Sequence, residues 1–217
     1  MTDLKNKKAY IFDLDGTLLD TMADLATAVN HALGVNGLPL RTIEEVTAFI
    51  GNGVRVLIKR SVQEDTSEEL YEKVFSDYQA FYRVHYMDKT VPYEGMKDIL
   101  LKLKERGLKL AVISNKNDTE TKLLMEHFFP GIFDIVYGSM DGIPRKPAPD
   151  MVFKTVDELG LSVKDCLYIG DSEVDIATAH NADMDVLSVA WGSRTPEFLK
   201  ECGATMIISK PSELLKQ

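Results

Sequence analysis

The sequence predicts an α/β fold, a doubly wound parallel sheet, on the strength of two features of this 217-residue chain. The first is a set of short apolar runs that are continuous rather than alternating and end in polar or turn residues, as in strands buried on both faces. The second is that segments with helical spacing of apolar residues separate these runs. Right-handed crossovers would place the carboxyl ends of the strands along one edge of the sheet.

Five apolar runs are clear strand candidates, and a sixth follows near the end of the chain. They are residues 9–12, 110–113, 135–137, 167–169, 186–190 and 206–208. Between the first two, Met96, Ile99, Leu100 and Leu103 recur at helical spacing and Gly107 follows as a C-terminal cap. Another helix is expected to open at Pro147-Ala148-Pro149 and to close at Gly160.

The segment 20–88 interrupts this alternation, because it contains no convincing strand. Met22, Leu25, Ala26, Val29 and Leu33 form one apolar helical stripe, and Leu70, Val74, Tyr78 and Phe81 form another. Between them, Thr42 with Glu45 and Thr66 with Glu69 have the spacing of capping boxes, which predicts two further helix starts. We therefore expect a core domain of residues 1–19 and 89–217 with an inserted helical domain, residues 20–88.

The charge and hydropathy of the chain argue against some classes of binding partner. Thirty-four acidic residues against 25 basic ones give a formal net charge of -9, which argues against non-specific binding to nucleic acid, since that requires a basic surface. The N-terminal segment has no signal-peptide apolar core, and no stretch approaches the roughly 18 apolar residues of a membrane span. We expect a cytoplasmic protein that binds neither nucleic acid nor membranes.

Cysteines and histidines offer no transition-metal site. Cys166 and Cys202 lie far apart in apolar surroundings and form no CxxC or Cys/His cluster, so we expect buried free thiols rather than zinc ligands. The histidines, which we expect on helix faces, are His31, His85, His127 and His180.

Asp13-Leu14-Asp15-Gly16-Thr17 directly follows the first predicted strand. Burying two carboxylates there would cost several kcal/mol of folding free energy unless a nearby cation compensates for their charge. Residues two apart in an extended segment point to the same side, so Asp13 and Asp15 can face one reacting centre. Taken alone, the pentapeptide could also be an ordinary Asx turn. A calcium EF-hand loop is excluded, because Leu18 stands where that loop requires glycine.

Other predicted strands end in polar segments too. Ser114-Asn115-Lys116 ends the second strand, and its hydroxyl and backbone amides could hold phosphate oxygens. Asp171, after the fourth strand, is a candidate metal ligand. Asp175 either supports that site or is an acid favoured at the start of a helix. Lys146 precedes a proline and could hold a positive charge near the same edge. Taken alone, each of these polar residues could also have a purely structural role, such as capping a helix or forming a turn.

Together these segments predict one crevice at the sheet edge, where α/β folds generally bind ligands. Several carboxylates without histidine or cysteine favour a hard cation such as Mg²⁺. A lysine and a metal ion together can neutralise a transferring phosphoryl group, which is most of what catalysis of that transfer requires.

The order Asp13-x-Asp15-Gly16-Thr17, Ser114, Lys146 and Gly170-Asp171-x-x-x-Asp175 resembles the haloacid dehalogenase (HAD) superfamily of phosphotransferases. The match covers essentially the whole chain. Within the superfamily, residues 12–21 and 50–53 are most similar to the phosphoglycolate phosphatase-like group. The resemblance implies a Rossmann-like HAD core whose inserted helical domain is a cap that selects the substrate.

The resemblance also implies residue roles. Asp13 would be the nucleophile and a Mg²⁺ ligand, and Asp171 would complete the metal site. Asp15 would protonate the leaving alkoxide and then deprotonate the attacking water, while its backbone carbonyl reaches the metal.

Thr17 and Ser114 would hold phosphate oxygens, with the backbone around Asn115 nearby, and Lys146 would bridge the phosphate and Asp13. A carboxylate nucleophile needs no base, because it is already ionised.

The Gly51-Asn52-Gly53 turn is the candidate for substrate choice. Its backbone N–H groups, just before a helix, could bind a substrate carboxylate, with Arg55 and Lys59 nearby. A plain inter-helix turn is the alternative. A bulky residue at Gly53 is expected to raise KM for the true substrate only.

The sequence thus favours a phosphatase acting on a small anionic phosphorylated metabolite, with 2-phosphoglycolate as the first choice, in a monomer or weak homodimer. A sugar-phosphate mutase resembling β-phosphoglucomutase, or an inorganic pyrophosphatase, is the alternative. The mutase is disfavoured because Asp20 and Thr21 stand where that group carries a cap histidine and arginine. A non-catalytic interaction protein is disfavoured because unpaired carboxylates would only destabilise the core.

Overall fold

Alternating strands and helices build this protein, whose computed structural model describes residues 4–217. The strands are β1 (Ala9–Phe12), β2 (Leu19–Asp20), β3 (Val91–Pro92), β4 (Lys109–Asn117), β5 (Ile135–Ser139), β6 (Cys166–Gly170), β7 (Asp185–Val189) and β8 (Ile207–Ile208). The helices are α1 (Met22–Val35), α2 (Ile43–Phe49), α3 (Val54–Ser61), α4 (Glu68–His85), α5 (Met96–Glu105), α6 (Asp118–Phe128), α7 (Asp150–Leu159), α8 (Glu173–Asn181) and α9 (Pro196–Glu201).

Six of these strands form one parallel sheet in the order β5-β4-β1-β6-β7-β8. The central strand β1 pairs in register on both sides, because Phe12 lies opposite Val112 of β4 and Ile169 of β6. The residues that follow these three strands therefore emerge side by side at one edge of the sheet. The predicted doubly wound α/β class is confirmed.

The continuous apolar runs are explained by burial on both faces of the sheet. In β1, Ala9 and Ile11 pack into a core cluster that includes residues of α7 and α8. Tyr10 and Phe12 alternate with them and are also buried, so they face the opposite layer. The predicted strands match β1 and β4–β8 to within one or two residues at each end, except that β4 continues four residues beyond Ile113.

The predicted helix punctuation in this part of the chain is found. Gly107 adopts φ +83° and donates its amide to the carbonyl of Lys104, which closes α5. Gly160 caps α7 with φ +66°. That helix begins at Asp150, directly after the Pro147-Ala148-Pro149 segment.

The chain divides into two units, one of residues 1–19 and 92–217, the other of residues 20–91. The second unit contains α1–α4, with α1 packed against α4. Asp24 of α1 accepts hydrogen bonds from the amides of Lys89 and Thr90, which ties the end of this unit to its beginning. The paired strands β2 and β3 lie where the chain passes between the units.

One of the two predicted capping boxes is confirmed and the other is wrong. Thr42 and Glu45 cap α2 reciprocally, through bonds of 3.2 and 2.7 Å. Thr66 instead lies in a turn, its amide bonded to the carbonyl of Gln63. Ser67 is the N-cap of α4, and its hydroxyl accepts from the Leu70 amide at 3.3 Å. Both residue types can cap a helix, and the preceding turn decides which one does.

Cys166 is buried and Cys202 is half-buried, and both are free. The prediction of two buried thiols is therefore wrong for Cys202, which follows the short helix α9. His31, His85, His127 and His180 lie on α1, α4, α6 and α8. Among the described helices, none combines the length and apolar character needed to cross a membrane.

Candidate active site

Lys146 contacts two carboxylates, one directly after β1 and one on α8, the helix that follows β6. Its Nζ lies 2.9 Å from Oδ1 of Asp13, which directly follows β1, and 2.7 Å from Oδ1 of Asp175 on α8. The ammonium is buried, with 3% of the side chain exposed. Lys146 lies in the loop before α7, where Asn115 Oδ1 accepts from its amide (2.9 Å) and Asn115 Nδ2 donates to its carbonyl (3.0 Å).

Asp171 is held by residues from the loops after two other strands. Its Oδ1 accepts a 3.0 Å hydrogen bond from the hydroxyl of Thr17. Its Oδ2 accepts from the amide and the hydroxyl of Ser193, at 2.7 and 2.5 Å. Asp171 is 1% exposed, so its orientation is fixed by these groups. Ser193 was not predicted, although its position just after β7, whose end reaches the same edge, could have indicated it.

Two glycines make room for Asp171. A Cβ on Gly16 would lie 2.4 Å from Asp171 Oδ2, and one on Gly192 would lie 2.3 Å from the Gly16 carbonyl oxygen. Gly16 also has φ +84°. The backbones of the two loops therefore approach one carboxylate more closely than any side chain allows.

Asp13, Asp171 and Asp175 each place one carboxylate oxygen within 4.8 Å of the others. When all three carboxylates are ionised, Lys146 compensates for one negative charge. The two negative charges that remain would be neutralised by one divalent cation. Buried carboxylates require such compensation, and an all-oxygen ligand set suits a hard cation. The acidic cluster therefore fits a metal site.

Asp175 and Asp15, which belong to different motifs, each pair with a different lysine. Both oxygens of Asp175 are engaged, Oδ1 by Lys146 and Oδ2 by the amide and hydroxyl of Ser172 at 3.1 and 2.7 Å. Asp175 thus caps α8 and holds the lysine. Asp15, whose backbone carbonyl is a predicted metal ligand, directs its carboxylate to another cation, with Oδ1 3.1 Å from Nζ of Lys116.

Burial is the largest single influence on the pKa values of Asp13, Asp171 and Lys146 in this cluster. It raises the pKa of Asp13 well above its usual range, with a further contribution from Asp175, and Lys146 opposes the shift. Burial likewise raises the pKa of Asp171 to about 6. For Lys146, burial alone would lower the pKa, but Asp13 and Asp175 outweigh it and raise the pKa. A dication held by the same oxygens would favour their ionised forms.

Ser114 lies at the same edge and is 5% exposed, on the part of β4 that extends beyond the predicted strand. Its hydroxyl accepts from the Lys116 amide at 3.2 Å. The Asn115 side chain bonds to the backbone of Lys146 through both its oxygen and its nitrogen. Trp191, after β7, donates its indole N–H to the Thr17 carbonyl at 3.1 Å and so supports the turn after β1.

The predicted substrate-reading turn lies between α2 and α3 of the second unit. Gly51 and Gly53 have φ of +116° and +82°, and Gly53 is the N-cap of α3. Arg55 is paired with Glu72 at 2.6 Å and stacks over Phe75 at 4.3 Å. Its guanidinium is therefore already engaged within this unit.

Known proteins share this architecture. The family model of haloacid dehalogenase-like hydrolases matches residues 10–189. A phosphoglycolate phosphatase of Aquifex aeolicus (strain VF5) is 33% identical over 96% of this chain and 95% of its own. One from Neisseria meningitidis serogroup A / serotype 4A is also 33% identical, over 93% of this chain and 88% of its own.

Solved structures agree. A candidate phosphoglycolate phosphatase of Lactobacillus delbrueckii subsp. bulgaricus superposes with a TM-score of 0.93 at 38% identity, covering 96% of this chain and 97% of that one. A predicted phosphoglycolate phosphatase of Haemophilus somnus 129pt gives a TM-score of 0.91 at 28% identity, covering 98% of each chain.

The chain belongs to the haloacid dehalogenase-like hydrolases. Within that family it falls in the phosphoglycolate phosphatase-like group of phosphoric monoester hydrolases, and it is a phosphatase.

Proposed function

We propose that this phosphatase is Mg²⁺-dependent and hydrolyses a small phosphorylated metabolite through a phosphoryl group carried on Asp13. One observation supports the proposal most strongly. The carboxylate of Asp13 lies in a buried cluster with Asp171, Asp175 and the ammonium of Lys146. This arrangement offers a carboxylate nucleophile beside the charges that a phosphoryl group and a metal ion require.

In the first step, an Asp13 oxygen forms a bond to phosphorus and the bond from phosphorus to the substrate oxygen breaks. The Asp15 carboxylic acid gives its proton to the leaving alkoxide. Lys146 lies beside Asp13 and stabilises the charge of the phosphoryl group during its transfer. Thr17 and Ser114, at the same edge, are the proposed hydrogen-bond donors to its oxygens.

In the second step, the Asp15 carboxylate accepts a proton from water, whose oxygen bonds to phosphorus. The bond from phosphorus to Asp13 then breaks, which releases inorganic phosphate, frees the Asp13 carboxylate and leaves Asp15 as the carboxylic acid that began the cycle. When bound, Mg²⁺ would neutralise negative charge on the phosphoryl oxygens. Asp13, Asp171 and the Asp15 carbonyl are the proposed ligands, with Asp175 engaged by Lys146.

For the substrate we propose 2-phosphoglycolate, with support from the names of the relatives in Aquifex and Neisseria. We further propose that the helical unit, predicted as residues 20–88, is a cap that selects it, and that the protein acts in the cytoplasm. Release of inorganic phosphate from a panel of phosphorylated metabolites tests this proposal. No release from any of them in the presence of Mg²⁺ would refute it, and isomerisation of a sugar 1-phosphate would indicate a mutase.

Mg²⁺ is expected to raise the melting temperature of the chelator-treated protein, and Asp171→Asn is expected to abolish this rise. Burial raises the folded-state pKa of Asp171 from 3.8 to about 6, so the folded state binds that proton more tightly than the unfolded state. Without metal, wild type should therefore lose stability relative to Asp171→Asn as pH rises from about 4 to about 6. Calorimetry at several pH values measures both effects. An unchanged Mg²⁺ response in the variant would contradict the metal site.

Substituting Gly53 is expected to change substrate preference. Gly53→Val disturbs a backbone at φ +82° and the amides that follow it. If those amides bind the substrate carboxylate, KM for 2-phosphoglycolate should rise by roughly tenfold or more, the scale of one lost charged hydrogen bond. KM for 4-nitrophenyl phosphate should stay within about threefold. Gly37→Val is the matched control, because Gly37 lies in the same unit at φ +69° with open space around it. A similar rise for both substrates would argue for a plain turn.

A further inference from the structure

Lys116 is a buried lysine with no role in the reaction outlined above. Its side chain is 4% exposed, and its Nζ lies 3.1 Å from Oδ1 of Asp15, whose side chain is 13% exposed. Lysine is almost never fully buried unless it is paired, because its ammonium loses hydration on leaving water. The ion pair between Lys116 and Asp15 is therefore not simply part of a solvated, charged surface.

The backbone that carries Lys116 is held in place. Lys116 lies on the extension of β4 past Ile113, where the pairing register with β5 shifts. Its amide donates to the Ser114 hydroxyl at 3.2 Å. A Cβ on Gly138 of β5 would lie 2.7 Å from the Lys116 carbonyl oxygen, so the two strands approach closely here. The extension thus directs a lysine to the residue two positions after Asp13.

The two aspartates of the motif after β1 therefore have separate cations. Lys146 contacts Asp13, and Lys116 contacts Asp15. A carboxylate that transfers protons must point one oxygen at the reacting atom. Holding Oδ1 of Asp15 restricts rotation about its Cβ–Cγ bond and so sets the direction of the other oxygen.

We propose that Lys116 is a positioning residue that orients the Asp15 carboxyl group for proton transfer to the leaving alkoxide. This inference rests on the proposed phosphatase mechanism. In the first step it differs from a direct role in phosphate binding, because the position of Asp15 matters there only when the leaving group needs a proton. An alkoxide needs one, whereas a nitrophenolate leaves readily without it.

The test compares Lys116→Met with wild type on two substrates, with kcat/KM as the readout of the first chemical step. General acid catalysis contributes about 10²–10⁴-fold, so we expect kcat/KM for 2-phosphoglycolate, or for whichever alkyl phosphate the panel identifies, to fall by roughly 30-fold or more. With 4-nitrophenyl phosphate it should fall by less than about threefold. An equal loss on both substrates would overturn the inference in favour of phosphate binding.

Lys7→Met is the matched control, because the Lys7 side chain is also buried, with 5% of it exposed, and pairs with Asp185 at 2.5 Å. It should lose stability through the same kind of unpaired charge and keep wild-type kcat/KM on both substrates. Lys116→Gln, which retains a hydrogen-bond donor, provides a second variant if Lys116→Met does not fold. It should show the same substrate discrimination with a smaller loss.

A double-mutant cycle with Asp15→Asn tests whether Lys116 acts through Asp15. In the Asp15→Asn background, Lys116→Met should lower kcat/KM for the alkyl phosphate by less than about twofold. A further loss of about tenfold would show that Lys116 acts independently and would overturn the inference. If wild type hydrolyses no phosphate ester, the proposed function fails. If wild type is active and Lys116→Met does not discriminate, the positioning role alone fails.

Discussion

Asp13→Asn is expected to lower kcat for phosphate release by on the order of 10⁴-fold or more, because it removes the proposed nucleophile. Stability should not fall with activity. Burial and the neighbouring Asp175 carboxylate raise the pKa of Asp13, so its ionised form is unfavourable in the metal-free fold. A neutral amide removes that repulsion while Lys146 keeps its contact with Asp175. Melting temperatures in chelator at neutral pH should therefore be equal to or above wild type.

Intact mass after acid quench adds an independent measurement. After incubation with 4-nitrophenyl phosphate, whose leaving group needs no proton, Asp15→Asn should retain the mass of one added phosphoryl group, because the base for the second step is missing. The double variant Asp13→Asn/Asp15→Asn should not. Asp24→Asn is a matched control, since Asp24 is also a buried aspartate but accepts hydrogen bonds from backbone amides in the second unit. It should lose stability and keep most of its activity. Phosphorylation that persists without Asp13 would contradict its role as nucleophile.

Lys146→Met is expected to lower both activity and stability. Activity should fall by roughly 10³-fold, the scale of one lost electrostatic contact to a transferring group. Stability should fall by about 3–5 kcal/mol, because Asp13 and Asp175 lose their shared buried cation. Denaturant titration and steady-state kinetics measure the two losses separately.

The stability loss should depend on pH in a defined direction. Lys146 now lowers the pKa of Asp13, so its removal raises that pKa further above the unfolded value. A raised folded-state pKa of an acid means that stability is lost as pH rises. The deficit of Lys146→Met should therefore be small in acid and grow toward neutral pH. Lys146→Met/Asp175→Asn should recover part of the stability but none of the activity. A deficit that shrinks as pH rises would contradict this account.

The α/β class, and the edge of the sheet at which polar residues gather, follow from the amino-acid sequence alone. Strands buried on both faces require continuous apolar runs, and such runs are visible without coordinates. Parallel strands with right-handed crossovers bring their carboxyl ends to one edge. Asp13 and Asp171 come together for that reason, since β1 and β6 pair in register up to Phe12 and Ile169.

Which charges pair within the site depends on the folded arrangement of the loops and cannot be inferred from the sequence. Asp175 meets Lys146, Asp15 meets Lys116, and Ser193 holds Asp171. These partners come from separate loops and from an extension of β4, so side-chain rotamers and close backbone approach select them. The periodicity of apolar residues and the spacing of motifs carry no information on side-chain rotamers or on where two backbones approach closely. For the same reason, Ser67 rather than Thr66 caps α4, because the preceding turn fixes which hydroxyl reaches the first amides of the helix.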